Sequence, residues 1–185
     1  GLPSVASGGD YYGNQFTIRW DYYKELGYPP LETQEDLLKV TKQIQDKHPT
    51  NEQGKTTYGI SPFFEWGMWP LTQHGIYTAG KGMTSEFIDV LPDVTFKSSI
   101  LEKDSSLWTG AAFNNKAYQM GLLDPDSMTQ KFDNANEKSN SNRVQLGLVQ
   151  WMFDQANQGF AKNQELKGYM NIPPLKDGYV SIGSY

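Results

Sequence analysis

The chain of 185 residues has no cysteine. Disulfides, thiolate nucleophiles and zinc–thiolate sites are excluded together. Histidine is nearly absent as well, with His48 and His74 far apart in the sequence. No stretch approaches the roughly 20 apolar residues that a membrane span needs, and Gly1–Val5 has neither the basic start nor the apolar core of a signal peptide. Basic residues are outnumbered, sixteen Lys and Arg against twenty-one Asp and Glu, for a net charge of −5. That balance argues against nucleic acid or an anionic membrane as partner, since both reward basic patches. There is no Gly-x-Ser-x-Gly elbow, Walker loop, dinucleotide fingerprint or HExxH helix, so the motifs point to neither an enzyme nor a cofactor.

Aromatic residues, by contrast, are plentiful: they make up 14% of the chain, with 11 Tyr and 5 Trp. They concentrate in Ser61-Pro62-Phe63-Phe64-Glu65-Trp66-Gly67-Met68-Trp69-Pro70-Leu71, directly after the short apolar run Tyr58-Gly59-Ile60. A strand that ends in such a cluster and turns into a helix places flat faces at the mouth of an α/β sheet, where ligands bind. Val144–Val149 followed by Trp151 repeats the arrangement. Two strands, each ending in a Trp before a helix, can bring two indole faces to one sheet edge. Sugars have apolar C–H faces that stack on aromatic rings, with hydroxyls that need polar partners. The competing reading makes both Trp core anchors, and spacing leaves the two open. Glu65 can accept hydrogen bonds from hydroxyls or sit at the first turn of a helix.

Along the chain, Gly1 to Gly13 reads as an extended segment and loop carrying Tyr11 and Tyr12. A first helix is expected over about Ile18 to Leu26, stopped by Gly27. There Asp21 reads as a cap carboxylate, and Arg19 as a residue tying down a loop. Thr33 caps a second helix whose buried face is Leu37, Val40/Thr41, Ile44 and His48, ended by Pro49. His48 reads as a C-terminal cap interaction. Thr50–Lys55 resembles a calcium loop, but Pro49, Gln53 and Thr57 stand where acids are required, so it reads as a turn. A helix is expected over Trp69 to His74. Phe87–Leu91 and Val94–Ser98 flank Pro92-Asp93 as a hairpin. From about Ser105 another helix places Leu107, Ala111, Asn114, Ala117 and Tyr118 on one side. Asp126 or Ser127 caps the next, through about Lys138, and Asn134 to Asn142 reads as a mobile surface corner. After Trp151 a helix runs to about Ala161, and Tyr169 to Ile182 is extended. The mixture favours one domain, an α/β or α+β sheet with helices on its faces and an inserted hairpin.

Four segments carry a family resemblance: Arg19-Trp20-Asp21-Tyr22-Tyr23-Lys24-Glu25-Leu26-Gly27-Tyr28-Pro29, Thr33 to Leu38, Gly54-Lys55-Thr56-Thr57-Tyr58-Gly59, and Asn115 to Ser127 through Gly121-Leu122-Leu123-Asp124-Pro125. Together they resemble the extracellular solute-binding proteins of ABC sugar importers, in particular the lipoprotein, oligosaccharide-binding group of Gram-positive bacteria. The resemblance implies a periplasmic-binding-protein-like (type II) α/β fold, a mixed sheet with helices on both faces. Leu2-Pro3 is similar to the first hinge crossing of such proteins, and Ile172 to Tyr185 to the approach to the second. Residues 1–185 then correspond to one lobe, the second, with the other lobe, the signal peptide and the lipid-anchored Cys outside it. The implied partners are a carbohydrate ligand, the missing first lobe and the membrane subunits of a permease, for a piece expected to be monomeric.

In maltodextrin-type relatives an aromatic just before a Trp-Pro-Leu turn stacks on sugar; Trp66 matches it, with Trp69-Pro70-Leu71 as the turn. A Trp after a strand also stacks, and Trp151 matches it, although Val149-Gln150 replace the usual Gly-Pro. The expected ligand contacts are thus Trp66 and Trp151, with Glu65, Phe64, Tyr12 and Tyr11 around them, and no metal. Two alternatives remain: a domain of a carbohydrate-active enzyme, marked by two carboxyls about 5 to 9.5 Å apart beside the Trp cluster, and a lobe for peptides or amino acids.

Overall fold

The computed structural model describes residues 16–72, 88–90, 95–172 and 175–176. In chain order the elements begin with β1 (Thr17–Arg19), α1 (Trp20–Glu25), α2 (Gln34–Lys47) and the single turn α3 (Trp69–Thr72). The hairpin strands β2 (Ile88–Val90) and β3 (Phe96–Ser98) follow, then α4 (Ser106–Gln119) and α5 (Phe132–Asn140). Last come β4 (Leu146–Gly147), a 3-10 turn (Gln150–Phe153), α6 (Asp154–Lys162) and β5 (Tyr169–Asn171).

β1 is the middle of the sheet. It runs antiparallel to β4, with Ile18 opposite Leu146, and antiparallel to β5, with Ile18 opposite Met170. Beyond β4 the pairing turns parallel: Tyr58 bridges to Val144 and Ile60 to Leu123. The layout is therefore a mixed sheet, as expected. The first helix starts later than expected. Ile18 and Arg19 belong to the strand, because the Arg19 N–H donates to Gln145 O (3.0 Å) and the Trp20 N–H to Gly168 O (2.8 Å). Only from Trp20 does the chain close helical bonds, and Gly27, at φ +81°, ends them.

Helices cover both faces. On one, Ile18, Ile60 and Leu146 pack with Leu37, Val40 and Ile44 of α2 and Phe113 and Ala117 of α4. Each such side chain contributes about 1.5–3 kcal/mol by leaving water. α2 has the local signals that make it legible: Thr33 and Asp36 form a reciprocal capping box, and Thr41 donates its hydroxyl to Leu37 O (2.7 Å). His48, the C-cap residue, stacks on Tyr22 (3.7 Å between centroids, 3° between planes) and places Nε2 2.6 Å from Glu25 Oε2, joining α1 to α2. On the other face α5, the 3-10 turn and α6 supply Ala135, Met152, Phe153, Ala156 and Phe160 against Val144 and Tyr169. Gly147 permits this approach, since a Cβ there would lie 2.0 Å from the Phe153 ring.

α4 starts where expected, with Ser105 as its cap, but the buried face is Gly110, Phe113, Asn114 and Ala117, with Tyr118 69% exposed. α3 presses on this face so closely that a Cβ on Gly110 would meet Leu71 O at 1.7 Å. The hairpin pairs as expected, with Asp89 opposite Lys97 and Val90 opposite Phe96; its turn lies outside the described residues. Asp89 turns inward and accepts from the Ser106 N–H (2.7 Å) at the start of α4.

Two expectations around α5 fail. The helix begins at Phe132, not at Asp126 or Ser127, because Asp124 and Asp126 are drawn to Lys138. The stretch from Asn134 to Asn142 is no loose corner either: it is mostly helix, with Ala135, Lys138 and Ser139 buried.

Candidate functional site

The parallel bridge between Tyr58 and Val144, continued by the Gln145 and Leu146 N–H groups donating to Tyr58 O and Gly59 O, makes the two chains leave the sheet on the same side. Each then meets an obstacle. Ser61-Pro62 cannot continue a ladder through Pro62, and the chain bends so that Phe63 is fully buried while Trp66 remains 55% exposed. Gly67, at φ +91°, returns its N–H to Phe64 O (3.0 Å) and closes the bend behind Trp66. On the other chain the 3-10 turn alternates its side chains: Met152 and Phe153 go inward and Trp151 outward, 39% exposed.

The two indoles expected at one edge are brought together. Their rings lie 6.3 Å apart, 16° from parallel. A third ring, which sequence reasoning missed, joins them: Phe132 stacks on Trp66 (4.6 Å, 28°) and tilts against Trp151 (5.7 Å, 42°). Beneath lies Phe63, edge-on to Trp66 (5.0 Å, 87°) and tilted against Phe132 (5.4 Å) and Trp69 (5.0 Å). Such aromatic pairs contribute about 0.5–1.5 kcal/mol each beyond area burial. Trp66, Phe132 and Trp151 thus form one continuous, partly exposed apolar face, with Phe63 and Trp69 as its support.

Glu65 does not sit in the first turn of its own helix but in the bend that carries Trp66. One carboxylate oxygen accepts from the Phe132 N–H at 2.9 Å. The helix start there has no side-chain cap from Lys131, so Glu65 supplies an anion at the N-terminus of α5 from a distant segment. That position contributes about 0.3–1 kcal/mol and seats Phe132 beside Trp66. Phe64 is half-buried. Tyr11 and Tyr12 lie outside the described residues.

Behind the face sits a buried polar network. Lys138 donates to Asp124 (2.6 Å), Asp126 (3.0 Å) and the Gln130 Oε1 (2.9 Å). Ser61 donates to Asp124 (2.6 Å), and the Gln130 amide donates to Ser61 Oγ (2.9 Å) and Pro62 O (2.8 Å). Burial works against the Lys138 charge, yet the hydrogen bonds and fields of Asp124 and Asp126 outweigh it and hold the ammonium above the ordinary lysine range. Three carboxylates near the face are thereby engaged: Glu65 on a helix terminus, Asp124 and Asp126 on one ammonium.

A second hub fixes the sheet itself. Arg19 is fully buried; its Nε donates to Asp21 (2.6 Å) and its Nη2 to Glu52 (2.8 Å). Its guanidinium also lies over the rings of Tyr22 (4.4 Å) and Phe160 (4.8 Å). The turn expected at Thr50–Lys55 is built by Asn51, whose Oδ1 accepts from the N–H groups of Gln53 (3.0 Å) and Lys55 (2.9 Å), and Arg19 ties it down through Glu52. Among the described residues no group of His, Asp or Glu is placed to hold a metal ion.

No family model matches the chain, and no curated protein matches its sequence. Solved structures do. A human-milk-oligosaccharide-binding, ABC-transporter-associated solute-binding protein from Bifidobacterium longum infantis superposes with a TM-score of 0.64 at 21% identity, over 89% of this chain and 34% of that one. The S. pneumoniae ABC-transporter substrate-binding protein FusA, in complex with kestose, gives 0.61 at 18%, over 95% of this chain and 35% of that one. The alginate-binding protein AlgQ2, without calcium ion, gives 0.56 at 18%, over 92% and 35%. The chain thus spans about a third of the length of each of these proteins. Its fold is the periplasmic-binding-protein-like α/β fold of ABC-type solute-binding proteins.

Proposed function

We propose that residues 1–185 are the second lobe of a two-lobed extracellular solute-binding protein, between its hinge crossings, and that it captures an oligosaccharide for an ABC permease. The observation that carries this reading is the face formed by Trp66, Phe132 and Trp151, three rings in mutual contact, with the two indoles exposed and Phe132 half-buried between them and the core. Such a face suits the apolar C–H side of a sugar ring. The solved structures of the same fold include proteins that bind human milk oligosaccharides, kestose and alginate. In this reading Trp66 and Trp151 stack on the ligand, with Phe64, Glu65, Tyr11 and Tyr12 around them. The first lobe closes over it and excludes water, and the whole, anchored as a lipoprotein, is presented to the permease. The process in this reading is capture without chemistry, and the engagement of Glu65 with a helix terminus and of Asp124 and Asp126 with Lys138 supports it.

One lobe offers half the contacts, so binding by this chain alone falls near the millimolar range, about −4 kcal/mol. The test is an NMR titration of the indole N–H signals with kestose, a milk oligosaccharide, an alginate oligomer and, as contrast, a tripeptide. The signals of Trp66 and Trp151 shift together and saturably with at least one sugar, while those of Trp20 and Trp108 stay still. Shifts with the peptide alone, or with no sugar at concentrations well above millimolar, overturn the proposal. Micromolar binding by calorimetry overturns the half-site argument.

A further inference from the structure

The loop that carries Trp66 is held by buried Phe63, by the Gly67 N–H on Phe64 O and by Glu65 on the Phe132 N–H, but by no ladder of its own. From Ser61 to Met68 it forms no regular structure, and it departs from the sheet at a proline that has no N–H to give. Phe132 likewise begins a helix after an irregular turn. Besides Glu65, one further side chain joins the two approaches. Gln130, two residues before Phe132 and 7% exposed, gives its amide N–H groups to Ser61 Oγ (2.9 Å) and Pro62 O (2.8 Å), while its Oε1 accepts from Lys138 (2.9 Å). The Lys138 donation fixes which way the amide faces, since an ammonium can only donate. Ser61 gives its own proton to Asp124 (2.6 Å), which leaves its oxygen to receive from Gln130.

We propose that Gln130 is a positioning residue for the aromatic face: its oriented amide ties the departure of the Trp66 loop to the approach of Phe132 and so sets the geometry of the two indoles. Lys138 acts through Gln130 by orienting it, and Ser61 is the receiving end. Nothing in this network meets a ligand. It acts on binding only through the position of Trp66. The functional consequence rests on reading the face as the sugar site, but the geometry is measurable without sugar.

The test reads the exciton couplet of two closely stacked indoles in far-ultraviolet circular dichroism, assigned by its loss in Trp66→Phe and Trp151→Phe. Gln130→Glu keeps a partner for Lys138 but removes both donations and sets a carboxylate against Pro62 O. Gln130→Leu removes the whole connection, and Ser61→Ala removes the receiving oxygen together with its donation to Asp124. The Gln130 variants should lose more than half of the couplet at temperatures well below their melting transitions, and Ser61→Ala a smaller part. An undiminished couplet in the folded variants overturns the proposal, as does a loss that merely tracks the unfolded fraction, or a wild-type chain with no couplet at all. If the Gln130 variants do not fold, Ser61→Ala decides: an intact couplet in the folded variant overturns the proposal. A chain that binds no sugar leaves this result standing, so the two readings fail separately.

Discussion

Replacing Arg19 by methionine removes a charge while keeping most of the apolar stem. The Arg19 side chain is 0% exposed, and its partners Asp21 and Glu52 are 15% and 39% exposed. Removing one partner of a buried pair destabilises by about 3–5 kcal/mol. The lower end applies here, because Glu52 can recover water and Asp21 keeps the Gly168 N–H at 3.2 Å. The contacts to Tyr22 and Phe160 add about 0.5–1 kcal/mol each while the charge is present, part of which the methionine retains by packing. The expected loss is therefore about 3 kcal/mol, or roughly 6–12 °C in Tm for a chain of this size, measured by urea and thermal unfolding at neutral pH. The acid limb supplies a second, independent reading. Burial opposes the Glu52 charge, but the Arg19 hydrogen bond, a backbone N–H and the fields of Arg19 and Lys167 together hold its pKa below the ordinary 4.5. A depressed carboxylate contributes stability that is complete above its unfolded pKa and disappears as pH falls through the folded value. The gap between wild type and Arg19→Met therefore narrows as pH drops below about 4.5. A loss under about 1 kcal/mol at neutral pH, or a gap that stays constant into acid, refutes the reasoning.

Gly147→Ala forces a Cβ to within 2.0 Å of the Phe153 ring, so it should destabilise by about 1–3 kcal/mol and change the fluorescence of Trp151, which shares the 3-10 turn with Phe153. Lys138→Met leaves Asp124 buried without its cation and should destabilise by about 3–5 kcal/mol in urea titrations at pH 7. The Lys138 pKa is raised from 10.5, so the contribution of its charge is complete below that pH and is lost as pH rises through the folded value. The deficit of Lys138→Met should narrow only at strongly alkaline pH; a deficit that already narrows near neutrality contradicts the assignment.

What could be read from sequence divides by the distance over which each feature is decided. α2 was legible because Thr33 and Asp36 satisfy each other within one turn. The hairpin announced itself by two apolar runs about Pro92-Asp93, and its strands pair. The sequence offered a meeting of Trp66 and Trp151 only as one of two open readings, because each follows a strand; the parallel bridge of Tyr58 to Val144, a long-range contact, decides it. Phe132 was hidden, because capping from Asp126 placed it inside a helix, and the group that caps α5 instead, Glu65, is 67 positions away. β1 was hidden for a similar reason: an arginine two residues before an aspartate reads as a helix start, whereas here the arginine lies buried in mid-sheet with partners from Glu52 and α6. The lysine within a polar stretch looked like surface, and only its contacts with Asp124 and Gln130 explain its burial.

The rings at positions 66, 132 and 151 come from three separate stretches of chain, and the carboxylate that seats the middle one comes from beside the first. No short piece of this chain can carry the face, because each ring depends on loop closures across long intervals of sequence. The face is complete only when those intervals are closed, and the parallel bridge of Tyr58 to Val144 is one such closure. Partly folded chains would therefore be blind to a ligand of this face. Any such ligand would in turn favour the completed fold by mass action, by an amount that grows with its concentration.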